Sequence, residues 1–169
     1  MTAHTEQPFI IDAIDAALLN LLQIDSSLSN QALARKAHVS PPTCLRRIKR
    51  LREAGVIQRE VALLDADKLA PLIGHGLQGI VEITLDKQGA ELMAEFEKRI
   101  AHDDAVQQCY RVSPGPDFVL VVHTADMPGY LALANRLFTS DANVRNVKAF
   151  FSVKRSKFEP KVALARPRH

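Results

Sequence analysis

The sequence of 169 residues predicts an α+β fold of two domains, an all-helical N-terminal one and a ferredoxin-like C-terminal one. Before Gly55, apolar residues recur at helical spacing in three short segments. From Leu77 onward, strand-like and helix-like segments follow in the order β-α-β-β-α-β, which is the ferredoxin-like arrangement. A connector that contains Pro71 lies between the two patterns, so we place the domain boundary there.

The first predicted helix covers residues 11–24. Its apolar residues recur at i, i+4, i+7 and i+8: Ile14, Leu18, Leu21 and Leu22. Asp12 and Asp15 lie at its start, where negative side chains interact favourably with the helix dipole. These features predict an amphipathic helix that packs through one face.

Two more helices follow, separated by a very short connection. Serine residues that can act as N-caps precede helices predicted over residues 30–37 and 41–54. Pro41 suits the first turn of the second of these helices. Only His38 and Val39 remain for the turn between them. The order of helix, tight turn and helix is that of the helix-turn-helix motif.

The second helix of this motif lies in a strongly basic segment. Residues 35–59 contain eight lysine or arginine residues and a single acidic residue, Glu53. Because so little acid is available for i,i+4 ion pairs, a merely solvated helix surface is the weaker explanation. We therefore expect the segment to bind a polyanion, and its position in a helix-turn-helix makes that partner double-stranded DNA.

The helix over residues 41–54 has the two faces that a recognition helix needs. Its predicted buried face contains Cys44, Leu45, Ile48 and Leu51. Residues near its start should lie outward and reach base edges in the major groove: Ser40, Pro42, Thr43, Arg46 and Arg47. Three more cations are outward and better placed for phosphates: Lys49, Arg50 and Arg59. Two such helices in successive major grooves, roughly 34–36 Å apart, predict a pseudo-palindromic operator.

The C-terminal domain is predicted from changes of periodicity. Strands are expected over residues 77–85, 106–112, 118–122 and 147–153, and helices over residues 88–100 and from Asp126 through Phe138. Residues 113–117 form a turn between the second and third strands, which should pair as a hairpin. The continuous apolar run at residues 118–122 is typical of a sheet interior or of a sheet buried against a second subunit.

The sequence does not have the features of a membrane protein or of a secreted protein. No run approaches the roughly 20 apolar residues that span a bilayer, and residues 1–8 lack the features of a signal peptide. Cys44 and Cys109 lie far apart without metal-ligand spacing, so we expect reduced core residues. The sequence therefore predicts a cytoplasmic protein without membrane contact.

The sequence also gives no support for a catalytic site or a metal site. His102 with Asp103 and Asp104 has no second ligand cluster, so we assign no metal. Cys109 and His123 have no orienting third group, so we assign no catalytic residue and no cofactor. An enzyme or a metabolite-binding protein built on the ferredoxin-like domain is a further class of function, and it ranks behind a DNA-binding regulator and behind a DNA-binding protein without an effector.

Individual segments of the chain also carry a family resemblance. They are residues 11–15, 21–23, 33–34, 39–51 and 55–57 and, more loosely, residues 117–118 and 143–144. In these segments the chain resembles the Lrp/AsnC, or leucine-responsive and feast/famine, family of bacterial transcriptional regulators. The resemblance implies a winged helix-turn-helix joined to a ligand-sensing domain. It also implies dimers formed through the sheets, octamers of four dimers, and association with the nucleoid.

The resemblance further implies an amino-acid effector, bound between subunits near the hairpin turn. The residues that carry over are Val112, Ser113, Pro114, Gly115 and Asp117, with apolar contacts from Phe150. Turn amides can hold a carboxylate, and an acidic side chain can hold an ammonium group. Asp117 could equally close the turn through backbone hydrogen bonds.

Three positions depart from the usual residues of the family. Pro114 stands where glycine is usual, and proline removes an amide donor. Ala149 replaces a threonine of the last strand, and His38 replaces the turn glycine of the helix-turn-helix. Histidine tolerates a positive φ better than most residues do. The first two departures favour the alternative function, an architectural DNA-binding protein without an effector.

We expect four segments along the chain: a DNA-binding domain over residues 1–62, a linker over 63–76, an oligomerisation and sensing domain over 77–156, and a basic tail over 157–169.

Overall fold

The computed structural model describes residues 9–73 and 76–164. Residues 1–8, 74–75 and 165–169, which fall in the predicted DNA-binding domain, linker and tail, lie outside the described residues. The chain divides into two compact units. One runs to Leu63 and includes the segment from Phe158 onward, and the other is Leu64–Lys157. Within the described residues, no helix is long and apolar enough to cross a membrane.

The three helices predicted in the first unit are present: α1 at Ala13–Ile24, α2 at Asn30–Lys36 and α3 at Pro41–Glu53. Each begins at a side-chain cap. Asp12, Ser29 and Ser40 accept hydrogen bonds from backbone N–H groups of the first turn of α1, α2 and α3, respectively. The three helices bury one common core: Leu18, Leu33, Ala34, Cys44 and Ile48.

Between α2 and α3 the chain turns sharply at His38. Its φ is +55°, in the left-handed region where glycine is usual, so this sequence accepts a non-glycine residue at the turn. The Val39 N–H donates to the Ala34 carbonyl at 2.9 Å, and the Asn30 side-chain amide donates to the Pro41 carbonyl at 2.9 Å. These bonds fix the start of α3 relative to α2.

The tail returns to the helical unit at Gln23, near the end of α1. The Gln23 side-chain amide donates to the Val162 carbonyl at 3.2 Å, and the Val162 N–H donates to Gln23 Oε1 at 2.7 Å. This reciprocal pair of hydrogen bonds attaches the tail to α1.

The segment between the two predicted domains differs from expectation. The predicted linker contains a helix, α4, at Ala66–Ile73, with Pro71 inside it. Asp65 explains how the helix begins, because its Oδ1 accepts from the Lys68 N–H at 3.2 Å. Pro71 has no N–H to donate to the carbonyl four residues earlier, so it removes one hydrogen bond from the interior of this short helix. Residues 54–65 form no strand, so the wing that the resemblance implied has no strand pair here.

The second unit has the predicted β-α-β-β-α-β order. Its elements are β1 at Leu77–Leu85, α5 at Ala90–Ile100, β2 at Val106–Arg111, β3 at Phe118–Thr124, α6 at Met127–Ala134 with a π-helix at Asn135–Thr139, and β4 at Val144–Phe151. The antiparallel sheet has the order β2-β3-β1-β4, and the predicted hairpin of β2 and β3 is present. The last strand starts and ends earlier than predicted.

One face of this sheet is covered by the helices. The core there combines alternate residues of the central strands with the helices, and Phe96 of α5 stacks on Phe118 with ring centroids 4.7 Å apart. Cys109 does not belong to this core. Its predicted burial is wrong, because β2 is an edge strand and the Cys109 side chain is exposed there.

The opposite face of the sheet is open and partly apolar. Ile80, Tyr110 and Phe150 are 45%, 53% and 53% exposed. Ile80 of β1 pairs with Val121 on one side and with Phe150 on the other, so one apolar row crosses three strands. A face of this kind is suited to contact with another protein surface.

Candidate DNA interface and effector site

The outer surface of α3 begins with its own cap. Ser40 Oγ accepts from the Thr43 N–H at 3.4 Å and lies 2.8 Å from Thr43 Oγ1. Both hydroxyl groups lie at the start of the helix, where Ser40 is exposed and Thr43 is half-buried. In a recognition helix this is the end that approaches base edges.

Beyond the cap, α3 exposes a mixed surface. Pro42, Arg46 and Lys49 are exposed, as the outward face predicts. Within the described residues, the only ion pair of Lys49 is with Glu53, at 3.7 Å, and both of those side chains are mostly in solvent. Such a surface pair is weak and leaves Lys49 available to another anion.

Two orientations predicted for α3 are wrong. Leu45, expected in the core, is 59% exposed. Arg47, expected outward, has a side chain only 19% exposed. The buried stripe of α3 is therefore rotated toward Arg47, which reaches α1.

Arg47 takes part in an ion-pair cluster at the start of α1. Its Nη1 donates to Asp15 Oδ1 at 2.9 Å and to Asp12 Oδ2 at 2.7 Å. Arg50, one turn further along α3, also donates to the Asp15 carboxylate. The side chain of Asp15 is fully buried. This Asp15 cluster, formed by Asp12, Asp15, Arg47 and Arg50, connects the recognition helix to α1.

The protonation of the cluster follows from these contacts. Burial alone would raise the pKa of Asp12, but hydrogen bonds from the Asp15 N–H and from Arg47 outweigh it and hold the pKa below its usual value. Hydrogen bonds to Asp12 and then to Asp15 raise the pKa of Arg47. Asp12 and Arg47 therefore stay charged at neutral pH. Arg50 also lies over the Phe9 ring, with its guanidinium carbon 5.0 Å from the ring centroid.

The cluster was missed in the sequence although its pattern is present there. Asp12 and Asp15 are three residues apart, and so are Arg47 and Arg50. Residues three apart share one face of a helix, so the two pairs could have been matched. The basic composition of the segment favoured DNA contacts for both arginines instead.

The remaining predicted phosphate contact, Arg59, lies after α3. It is exposed beside a shallow depression lined by Arg52, Ile57, Gln58, Arg59 and Glu60. Arg52 is paired there with Glu60 at 2.5 Å. Arg59 is thus separated from Lys49 by the end of α3.

At the predicted effector turn, Asp117 has a structural role. Its carboxylate accepts from the Leu85 N–H at 2.7 Å, and its own N–H donates to the Ile83 carbonyl at 2.9 Å. The Asp117 carbonyl accepts from the Val112 N–H at 3.1 Å. The buried Asp117 side chain therefore binds the end of β1 to the hairpin.

Few donors remain in the turn. Pro114 and Pro116 have no N–H, and the Asp117 N–H is already used. The N–H groups of Ser113 and Gly115 are the remaining candidates to hold a carboxylate, and both residues are exposed.

Phe150 does not lie beside this turn in a single chain. Phe118, at the end of the turn, pairs with Ile83, which pairs with Val147 on the far side of β1. Phe150 is three residues further along β4. Strand spacing and rise then place it roughly 14 Å from Phe118. An effector that contacts both the turn and Phe150 would need residues of two subunits.

Comparison with known proteins gives matches over both units. A family described as the AsnC-type helix-turn-helix domain matches residues 11–52, and one described as the Lrp/AsnC ligand binding domain matches residues 78–162. The leucine-responsive regulatory protein of Haemophilus influenzae is 40% identical over 124 residues, covering 73% of this chain and 72% of that protein.

Solved structures with the same fold are also known. An AsnC family transcriptional regulator from Agrobacterium tumefaciens has a TM-score of 0.79 and 30% identity, covering 90% of this chain and 97% of that one. A transcriptional regulator from Neisseria meningitidis, solved in complex with L-Met, has a TM-score of 0.78 and 23% identity, covering 91% of this chain and 97% of that one.

Proposed function

This chain belongs to the Lrp/AsnC family of transcriptional regulators, and from that premise we propose how it recognises DNA and what it senses. It is a DNA-binding regulator with a helix-turn-helix domain and a ligand-binding domain, in a family of regulators rather than enzymes. The observation that carries the proposal is α3. It follows a tight turn and exposes Arg46 and Lys49 in a basic segment.

In the proposed complex, the contacts divide by position along α3. Base edges are read from its first two turns, by Ser40, Pro42, Thr43 and Arg46, while Lys49 and Arg59 contact phosphates. Arg47 and Arg50 act mainly through the Asp15 cluster, which orients α3 on α1. Because its guanidinium also binds Asp15, Arg50 contributes less to phosphate contact than Lys49 does. The operator is pseudo-palindromic, with half-sites one helical turn apart.

A salt titration of operator binding separates Lys49 from Arg50. For Lys49→Ala we expect the slope of log K against log salt to fall in magnitude by about 0.9 for each phosphate contact removed, because fewer counterions are released. For Arg50→Ala we expect a smaller change of slope, since its charge is paired with Asp15. The operator is first obtained by selection from random duplexes and footprinted with the full-length protein.

The matched control for these two variants is Lys68→Ala, an exposed lysine of α4 outside the helix-turn-helix unit. Its slope should equal that of the unaltered protein. Selection that enriches no repeated half-site would overturn sequence-specific binding. An unchanged slope in Lys49→Ala would remove Lys49 from the phosphate contacts.

The proposed partner of the open sheet face is a second copy of this chain. Burial of Ile80, Tyr110 and Phe150 against their counterparts would remove the apolar row from water. The family resemblance adds octamers of four such dimers and a place in the bacterial nucleoid, within the cytoplasm. The effector site proposed below further requires that Phe150 of one copy lie near the hairpin turn of another copy.

The proposed effector is an amino acid bound at that subunit boundary. The Neisseria relative, crystallised with L-Met, supports this class of ligand. In this chain the effector carboxylate would be held by the N–H groups of Ser113 and Gly115, with Val112 and Phe150 as apolar neighbours. Pro114 lines the turn without donating, and Asp117 supports its shape through the hydrogen bond to Leu85.

A thermal-shift screen against both enantiomers of the common amino acids tests the effector. We expect a stereoselective rise in melting temperature with one L-amino acid or a few, since a ligand that binds the native state stabilises it. Pro114→Gly should enlarge the shift because it adds a backbone N–H donor to the turn. Phe150→Ala should reduce it, and Leu72→Ala, which shortens an exposed side chain of α4, should leave it unchanged.

A second candidate function is favoured by the shortage of donors in the turn. With two prolines and an engaged Asp117, the protein would act as an architectural DNA-binding protein without an effector. Intact operator binding with no shift from any amino acid supports this alternative and contradicts the sensor.

A further inference from the structure

We infer that Leu45 is a specificity-determining residue that contacts the 5-methyl group of a thymine in the major groove. The inference rests on the proposed DNA binding of α3 and adds to it a side chain that the sequence assigned to the core. Leu45 is 59% exposed, whereas its neighbour Cys44 and the next apolar residue, Ile48, are buried.

Leu45 is not an isolated apolar side chain. On a helix, residues three and four apart are neighbours, so Leu45 lies beside Pro41 and Pro42. All three residues are exposed. They form an apolar patch over the first two turns of α3, at the end of the helix that approaches the bases. We refer to Pro41, Pro42 and Leu45 as the α3 apolar patch.

The surroundings of the patch indicate its partner. Arg46 follows Leu45 directly, and Lys49 lies one turn further on; both are exposed. An apolar surface flanked by cations is complementary to a groove lined by phosphates that has apolar groups on its floor. The thymine methyl group is the apolar feature of the major groove, and its presence and position distinguish T·A from the other three base-pair arrangements.

The exposure of Leu45 also limits its contribution to stability. A leucine that is more than half exposed contributes little to the core, and alanine has at least as high a helix propensity. We therefore expect Leu45→Ala to fold with unchanged helicity. This makes the side chain suitable for a clean test on the full-length protein.

The experiment replaces each thymine of the selected operator, one at a time, by deoxyuridine, which lacks only the methyl group. With the unaltered protein we expect one thymine per half-site at which the replacement weakens binding about fourfold, the factor expected for removing one buried methyl group. Leu45→Ala removes the contact from both half-sites at once, so it should bind the thymine operator about sixteenfold more weakly. It should no longer distinguish thymine from deoxyuridine at that position.

The control is Ile24→Ala, which removes an exposed apolar side chain, 70% exposed, from the end of α1. It should keep the full discrimination. The inference is overturned if no thymine is sensitive to demethylation or if Leu45→Ala retains the discrimination. It is also overturned if Leu45→Ala changes the subunit number in light scattering, since the patch would then contact a second copy. Failure to select any operator would instead overturn the proposed DNA recognition.

Discussion

Asp15→Ala is expected to destabilise the helix-turn-helix unit by about 3 kcal/mol, because it removes the buried carboxylate that two arginines share. Arg47 would keep Asp12 as a partner, but its largely buried guanidinium would lose half of its ion pairing. Its Nε is already buried without a hydrogen-bond partner, so there is little compensation. Loss of the cluster also removes the ion pairs that orient α3 on α1, so operator binding should weaken.

Amide hydrogen exchange measures this loss in the intact protein. Both tyrosines, Tyr110 and Tyr130, lie in the sheet unit, so their fluorescence does not report on the helical unit. A change of 3 kcal/mol would accelerate exchange of the protected α3 amides roughly a hundredfold. Asp15→Asn keeps the side-chain volume and should show most of the same effect.

The matched control for this variant is Asp25→Ala, at the other end of α1. Asp25 is exposed, and among the described residues its side chain hydrogen-bonds only to the nearby Ser27, so removal of the carboxylate should cost well under about 1 kcal/mol. Equal exchange rates in Asp15→Ala and Asp25→Ala would contradict a stabilising role for the cluster.

Asp117→Ala is expected to destabilise the sheet unit by about 2 kcal/mol, because it leaves the Leu85 N–H buried without an acceptor. For a unit of this size the melting temperature should fall by roughly 10 °C. Tyrosine fluorescence during heating measures the change, since both tyrosines belong to this unit. The experiment is done without any amino acid present, so that an effector cannot contribute.

Asp86→Ala is the control for this variant, because Asp86 is exposed at the end of β1 and the substitution is the same. Its melting temperature should stay close to that of the unaltered protein. If Asp117→Ala melts normally without an effector yet loses the effector shift, Asp117 is a ligand-binding residue and its structural role is wrong. If it melts early, its missing effector shift says nothing about ligand contact.

Much of the fold was predictable because its determinants are local. Serine caps, a proline in a first helical turn and a glycine after α3 define the helix-turn-helix within one or two residues. In the second unit, alternation along β1 and the continuous apolar run of β3 predicted the sheet, and the turn at residues 113–117 predicted its hairpin. The helical part of the predicted linker was missed, since Pro71 was interpreted as the end of regular structure.

The site was less predictable because it depends on which helix faces meet. A helical stripe drawn through Cys44 and Ile48 can include Leu45 or Arg47 with almost equal justification. Arg47 is the residue that lies on the buried side, because it donates a hydrogen bond to Asp15, which is more than thirty residues away along the chain. The i,i+3 spacing of each like-charged pair in the Asp15 cluster places its two residues on one helix face, but the spacing alone does not decide which helix faces meet.

The hydrogen bonds between Gln23 and Val162 affect how a hybrid protein can be built from this regulator and a relative. Because the segment from Phe158 belongs with the helices, the chain passes from one unit to the other twice, near Leu63 and again near Lys157. A hybrid with a single junction would combine the helices of one parent with the segment after Lys157 of the other parent. Exchange of sensors between relatives therefore requires an insertion with two matched junctions, as in a nested domain.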